Sequence, residues 1–144
     1  LIFFDTKMVF KGISMSILEK RINDAKTSIV RAVFPGTTNH YDTLFGGITL
    51  KWMDEVAFIT ATRFGRKKFV TVSSDRIDFN VPIPGGHFVE LVGQIKKVGN
   101  TSLEVSVTLY LEQMYQAEKV LAVEGCFTFV AIDDNRKPVK ILGD

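Results

Sequence analysis

Asn39, the pair Gly46-Gly47 and Asp54 stand in the stretch TNHYDTLFGGITLKWMDEVAF with the spacing N-x6-GG-x6-D. A carboxylate set among apolar residues is costly to bury unless it has a partner or a use. Asp54 has the chemistry of a general base or of a nucleophile. A glycine pair at a helix start leaves backbone N–H groups free, with the positive end of the helix dipole behind them. Gly47, lacking a Cβ, also lets a ligand oxygen come close, which suits it to an oxyanion-binding role. Asn39 offers an amide that can hold a water or a carbonyl group. Taken singly, the glycines make an entry turn and Asn39 shapes a loop; their common spacing to Asp54 is what joins them into a candidate site. Glu55 follows Asp54 but lies about 100° further round a helix, so the two cannot face one site, and Lys51 is its expected i,i+4 partner.

The residues that must position this set carry a helical period. From Gly47 to Phe64, Ile48, Trp52, Val56 and Ile59 form one stripe, flanked by Met53, Ala57 and Phe64. Such a helix is apolar round most of its circumference and has to be wrapped by other elements. Upstream, SILEKRINDAK reads as a short helix with Ser16 as its cap and Glu19 in the capping-box position. TSIVRAVF reads as a strand that stops at Pro35-Gly36. After Gly65 to Lys68 the chain alternates in strand fashion through FVTVSSDRIDF, HFVELVGQIKKV, TSLEVSVTLYLEQM and KVLAVEGCFTFVAI, with turn signals between. On the first of these, alternation sends Asp75 and Arg76 to opposite faces. Long strands joined by tight turns make an antiparallel sheet, so the expected class is α+β, with a curved sheet of about five strands around one long helix.

The chain has 144 residues, enough for one substantial core, and 15–144 is read as a single domain. Residues 1–14 are read as an extension of unknown role, interrupted by Asp5, Lys7 and Lys11 and so neither a signal peptide nor a membrane span. A formal net charge of +2 is too weak for a nucleic-acid footprint. Cys126 is the only cysteine, which excludes an intrachain disulfide and a cysteine-based metal site and fits a reducing cytoplasm. Inside an alternating strand it reads as a small core residue rather than a nucleophile. His40 and His87 are the only histidines and are too far apart to suggest a metal site.

Together, PGTTNHYDTLFGGITLKWMDEVA, TVSSDRIDFNVPI, KVGNTSLEVSV and FTFVAIDD resemble the hotdog-fold acyl-CoA thioesterases. The likeness is to the acyl-CoA thioester hydrolase group that includes the brain-type cytosolic acyl-CoA hydrolase, and it runs from about Thr27 to Pro138. One departure is Gly86-His87, where the group commonly has Gly-Asp. The resemblance implies a helix wrapped by a bent antiparallel sheet, paired in homodimers whose sheets join and assembled further as trimers of dimers, that is, hexamers. It implies an acyl-CoA substrate lying between two units, with Asn39 from one subunit and Asp54 from the other. Coenzyme A then enters as part of the substrate, and no separate cofactor is required. Arg63, Arg66, Lys67 and Lys68 are candidate contacts for its phosphates. Two alternatives remain at this point: a hotdog dehydratase using His40, although NHYDTLFGG lacks the His-Phe-Pro-Gly arrangement, and a non-catalytic acyl-CoA-binding module.

Overall fold

The apolar period after Gly46 folds as one long helix, and the alternating segments fold as a sheet around it. The computed structural model describes residues 2–3 and 13–143. Its elements run in the order β1 (Ile2–Phe3), α1 (Ile13–Ala25), β2 (Thr27–Ala32), α2 (Gly46–Gly65), β3 (Lys68–Phe79), β4 (His87–Val98), β5 (Ser102–Gln113) and β6 (Lys119–Ile132). Every pairing among the described strands is antiparallel. From β4 the sheet continues through β5 and β6 to β3, while the other edge of β4 carries β2 along Phe88–Gly93 and β1 at Lys97 and Val98. The five long strands are those expected from the sequence. The two-residue β1 falls in the segment read as an extension, most of which (4–12) lies outside the described residues.

Alternation on the central strands supplies the core. Val89 and Leu91 of β4, Leu103 to Leu109 of β5 at every second position, and Val123, Phe127 and Phe129 of β6 are buried against Met53, Val56, Ala57 and Phe64 of α2. Each large side chain fully buried this way contributes about 1.5–3 kcal/mol. Close approach of helix to sheet depends on Gly93. A Cβ there would stand 2.9 Å from Val56 Cγ1 and would also strike the Thr60 hydroxyl, closer than packed atoms come.

Three local expectations are corrected. Helix α1 begins at Ile13, so Ser16 lies inside it and is not its cap. Glu55 pairs with Arg31 of β2 rather than with Lys51. Arg31 also sits over the Trp52 ring, 5.2 Å from its centroid; a planar guanidinium reaching across from the sheet can meet ring and carboxylate together, which Lys51 on the same helix cannot. The third concerns Asp75 and Arg76. The strand register shifts between Asp75 and Asp78, and Arg76 has φ 49°, so simple alternation ends at a bulge.

Candidate active site

Helix α2 starts without a side-chain cap. Phe45, with φ −58° and ψ 136°, occupies the cap position, and Thr49 N–H makes the first intrahelical bond, 2.9 Å to Phe45 O. The N–H groups of the preceding turn, Gly47 among them, have no carbonyl within the helix to reach. Gly47 is exposed, and a Cβ on it would meet nothing within 4 Å.

Two helical turns later, Asp54 projects from the same side. Its Oδ1 accepts a hydrogen bond of 2.8 Å from Thr71 Oγ1 on β3. Gly47, Leu50, Lys51, Asp54, Thr71, Ser73 and Phe127 line one open groove of about 440 Å³. Asp54 is half-buried, and Thr71 is exposed. Thr71 was missed from the sequence because a threonine within a β-branched strand carries no signal of its own; only its position opposite the helix marks it.

Asn39 is held by its own loop. Its Oδ1 accepts bonds from Tyr41 N (2.9 Å), Thr43 N (3.1 Å) and Thr43 Oγ1 (3.0 Å). The amide oxygen therefore shapes the turn, and the NH2 end is the part left to donate to a bound group. Within one chain Asn39 does not line the groove of Asp54 and Gly47. His40 does not line it either; its ring lies 3.9 Å from that of Tyr41.

The four basic candidates gather at the far end of α2. The nine residues from Asp54 to Arg63 separate them by about 14 Å along the helix axis. Arg63 donates to Asp24 O, Lys26 O and Thr27 Oγ1, tying the end of α1 to α2. Lys67 donates to the carbonyls of Lys140, Ile141 and Gly143. Lys68 pairs with Asp134, which holds that carboxyl below its ordinary value. Arg66, in the left-handed conformation that ends the helix, is exposed. Among the described residues no group of three His, Cys, Asp or Glu side chains is placed to hold a metal ion.

The family model described as the thioesterase superfamily matches residues 41–118, a stretch that includes Gly47, Asp54 and Thr71. The chain belongs to the thioesterase superfamily. Within this superfamily it is similar to an uncharacterized acyl-CoA thioester hydrolase of Bacillus subtilis, 39% identical over 82% of this chain and 69% of that protein. Among solved structures it is similar to the acyl-CoA hydrolase of Staphylococcus aureus in complex with butyryl coenzyme A and coenzyme A. That likeness has a TM-score of 0.80 and 36% identity over 83% of this chain and 73% of the other. The Staphylococcus aureus enzyme has also been solved as alanine variants of an aspartate, of an asparagine 15 positions before it and of a threonine 17 positions after it. A hexameric acyl-CoA thioesterase without ligand gives TM-score 0.80 and 35% identity over 83% of this chain and 76% of that one. The neighbours share the α+β hotdog architecture of this superfamily member.

Proposed function

We propose that the protein hydrolyses acyl-CoA thioesters at a site shared by two copies of the chain. The observation that carries this reading is Asp54, fixed by Thr71 in an open groove whose other end is the uncapped helix start at Gly47. Asp54 Oδ2, the oxygen not engaged by Thr71, takes a proton from a bound water. The water oxygen then attacks the thioester carbonyl carbon, and Gly47 N–H receives the oxyanion with the helix dipole behind it. Collapse of that intermediate breaks the C–S bond. The proton held by Asp54 passes to the departing sulfur, giving a carboxylic acid and free coenzyme A.

Asn39 of one copy directs its NH2 group at the reacting group held by Asp54 of the other. Two features support this assignment. Asn39 is absent from the groove of its own chain, and β3 is an edge strand with exposed Val70 and Val72 beside that groove, a surface ready to pair with a second copy. Asn39, Asp54 and Thr71 also stand 15 and 17 residues apart, the separations of the three residues replaced in the Staphylococcus aureus enzyme. The oligomer is a homodimer assembled as a trimer of dimers, a reading supported by the hexameric neighbour. Of the basic cluster, Arg66 is the residue best placed to meet the coenzyme A phosphates, since Arg63, Lys67 and Lys68 already hold protein partners. The reaction needs no metal or redox cofactor, and the single cysteine fits a cytoplasmic setting. The dehydratase alternative is disfavoured by the sequence of the loop, where NHYDTLFGG lacks the His-Phe-Pro-Gly arrangement.

The test is thiol release from a panel of saturated acyl-CoAs, by wild type and by Asp54→Asn. Wild type releases coenzyme A, and the variant loses roughly 100- to 10,000-fold in rate while still binding substrate. Tight binding by wild type without thiol release rejects hydrolysis in favour of a binding module.

A further inference from the structure

The loop that carries Asn39 is anchored from outside by the turn between β3 and β4. Leu44 N–H donates to Ile83 O at 2.8 Å, Gly85 N–H donates to Asp42 O at 3.0 Å, and Thr43 forms an antiparallel bridge with Pro84. Asp42 has φ 57°, a left-handed conformation that aspartate accepts more readily than most residues, and it lets the chain reverse between Asn39 and Thr43. The backbone of Thr43 is therefore a fixed point, set by the β3–β4 turn and not by its own side chain.

From that point Thr43 supplies both its N–H and its hydroxyl to Asn39 Oδ1, at 3.1 and 3.0 Å, beside the Tyr41 N–H at 2.9 Å. The two backbone N–H groups can only donate, so they assign the amide oxygen to the loop and turn the NH2 group away from it. An asparagine closes a turn of this kind with backbone donors alone. The Thr43 hydroxyl is thus surplus to the shape of the turn, and because Oδ1 cannot donate, the hydroxyl spends its proton on Asn39. Each donor on an amide oxygen draws electron density toward that oxygen and leaves the NH2 end a stronger donor, by about 10–30% per bond.

We propose that Thr43 is a positioning residue for the hydrolysis: its hydroxyl holds and polarises the Asn39 amide, so that the NH2 group is presented to the reacting group in the site completed by Asp54 of the neighbouring copy. The inference rests on the hydrolase reading and the shared site proposed above. It adds a residue that touches no reacting atom and acts only through Asn39, so its effect falls on the site whose Asp54 belongs to the other chain.

The experiment has two arms. In the first, kcat and KM for an acyl-CoA that wild type turns over are measured on Thr43→Val and Thr43→Ser. Thr43→Val lowers kcat by about 2- to 10-fold, the worth of one uncharged hydrogen bond, with KM and melting temperature close to wild type, and Thr43→Ser restores the rate. Thr43→Ala removes the same hydroxyl and carries the same expectation if valine keeps the protein from folding. An unchanged kcat in a folded variant without the hydroxyl, or an equal loss in Thr43→Ser, overturns the proposal.

In the second arm, mixed oligomers are formed from Asn39→Ala and Asp54→Ala chains, whose intact sites join Asp54 of the first chain to Asn39 of the second. Thr43→Val added to the Asp54→Ala chain, which supplies the Asn39 loop, lowers the recovered rate by the factor found in the first arm. Added to the Asn39→Ala chain, it leaves the recovered rate unchanged. The same loss with either chain makes Thr43 a merely structural residue and overturns the proposal. No recovery from the two single variants rejects the shared site, and with it any action of Thr43 across the interface, whereas no thiol release by wild type rejects the hydrolase reading itself.

Discussion

Thr71 Oγ1 lies 2.8 Å from Asp54 Oδ1, a hydrogen bond that joins the middle of helix α2 to the edge strand β3. It fixes which carboxylate oxygen is turned to the strand and which is free to meet water. A hydrogen bond to a charged acceptor is worth about 1.5–3 kcal/mol. Thr71→Ala is therefore expected to lower kcat by about 10- to 100-fold, with Thr71→Ser restoring most of it. Steady-state kinetics on the three proteins, with circular dichroism to establish folding, checks this. Equal loss in the serine variant rules out positioning through the hydroxyl.

The proposed division of the site between two chains predicts complementation. Asn39→Ala and Asp54→Ala homo-oligomers are each inactive. After dissociation and reassociation in equal amounts, half of the dimers are mixed and each mixed dimer has one intact site, giving about a quarter of wild-type activity. No recovery despite mixing verified by mass spectrometry rejects the shared site.

Gly47 separates activity from stability. A methyl group there touches nothing in the chain, and alanine is favoured over glycine in a helix by about 1 kcal/mol. Gly47→Ala should melt at or above the wild-type temperature, yet lose about tenfold or more in kcat, because the methyl crowds the N–H proposed to receive the oxyanion. Thermal melting and kinetics on one preparation test both halves. An unchanged kcat removes Gly47 from the oxyanion site.

Glu90 gives a pH signature on the outer face of the sheet. Hydrogen bonds from Lys119 and Ser28 hold its carboxyl below the ordinary value. The native state thus holds this proton more weakly than the unfolded chain does. The resulting stability is complete above the ordinary carboxylate value and is lost as pH falls through the lowered native one. Glu90→Gln should be slightly less stable than wild type at neutral pH, with the difference closing as pH falls through the lowered native value. Urea unfolding across that range measures it, and a difference independent of pH counts against the ionic origin.

Much of this molecule is legible from residue order because its signals are local. A period of 3.6 over Gly47–Phe64 and a period of two over the later segments need only neighbouring residues to be read. They specify the long helix, the five long strands and the α+β class, and the N-x6-GG-x6-D spacing puts Gly47 and Asp54 on one side of that helix. Partners between segments were not legible. Glu55 was read as the partner of Lys51, four residues away, but Arg31 reaches it from β2. Arg63 and Lys67 were read as candidate contacts for the coenzyme A phosphates, but the fold brings them against the end of α1 and the Lys140–Gly143 segment. Thr71 became part of the site only when β3 was laid beside α2. Tertiary structure decided these pairings because a hydrogen bond or ion pair depends on distances between atoms far apart in the chain. The sequence by itself determined which side chains were on offer and which face of its own helix or strand each occupied.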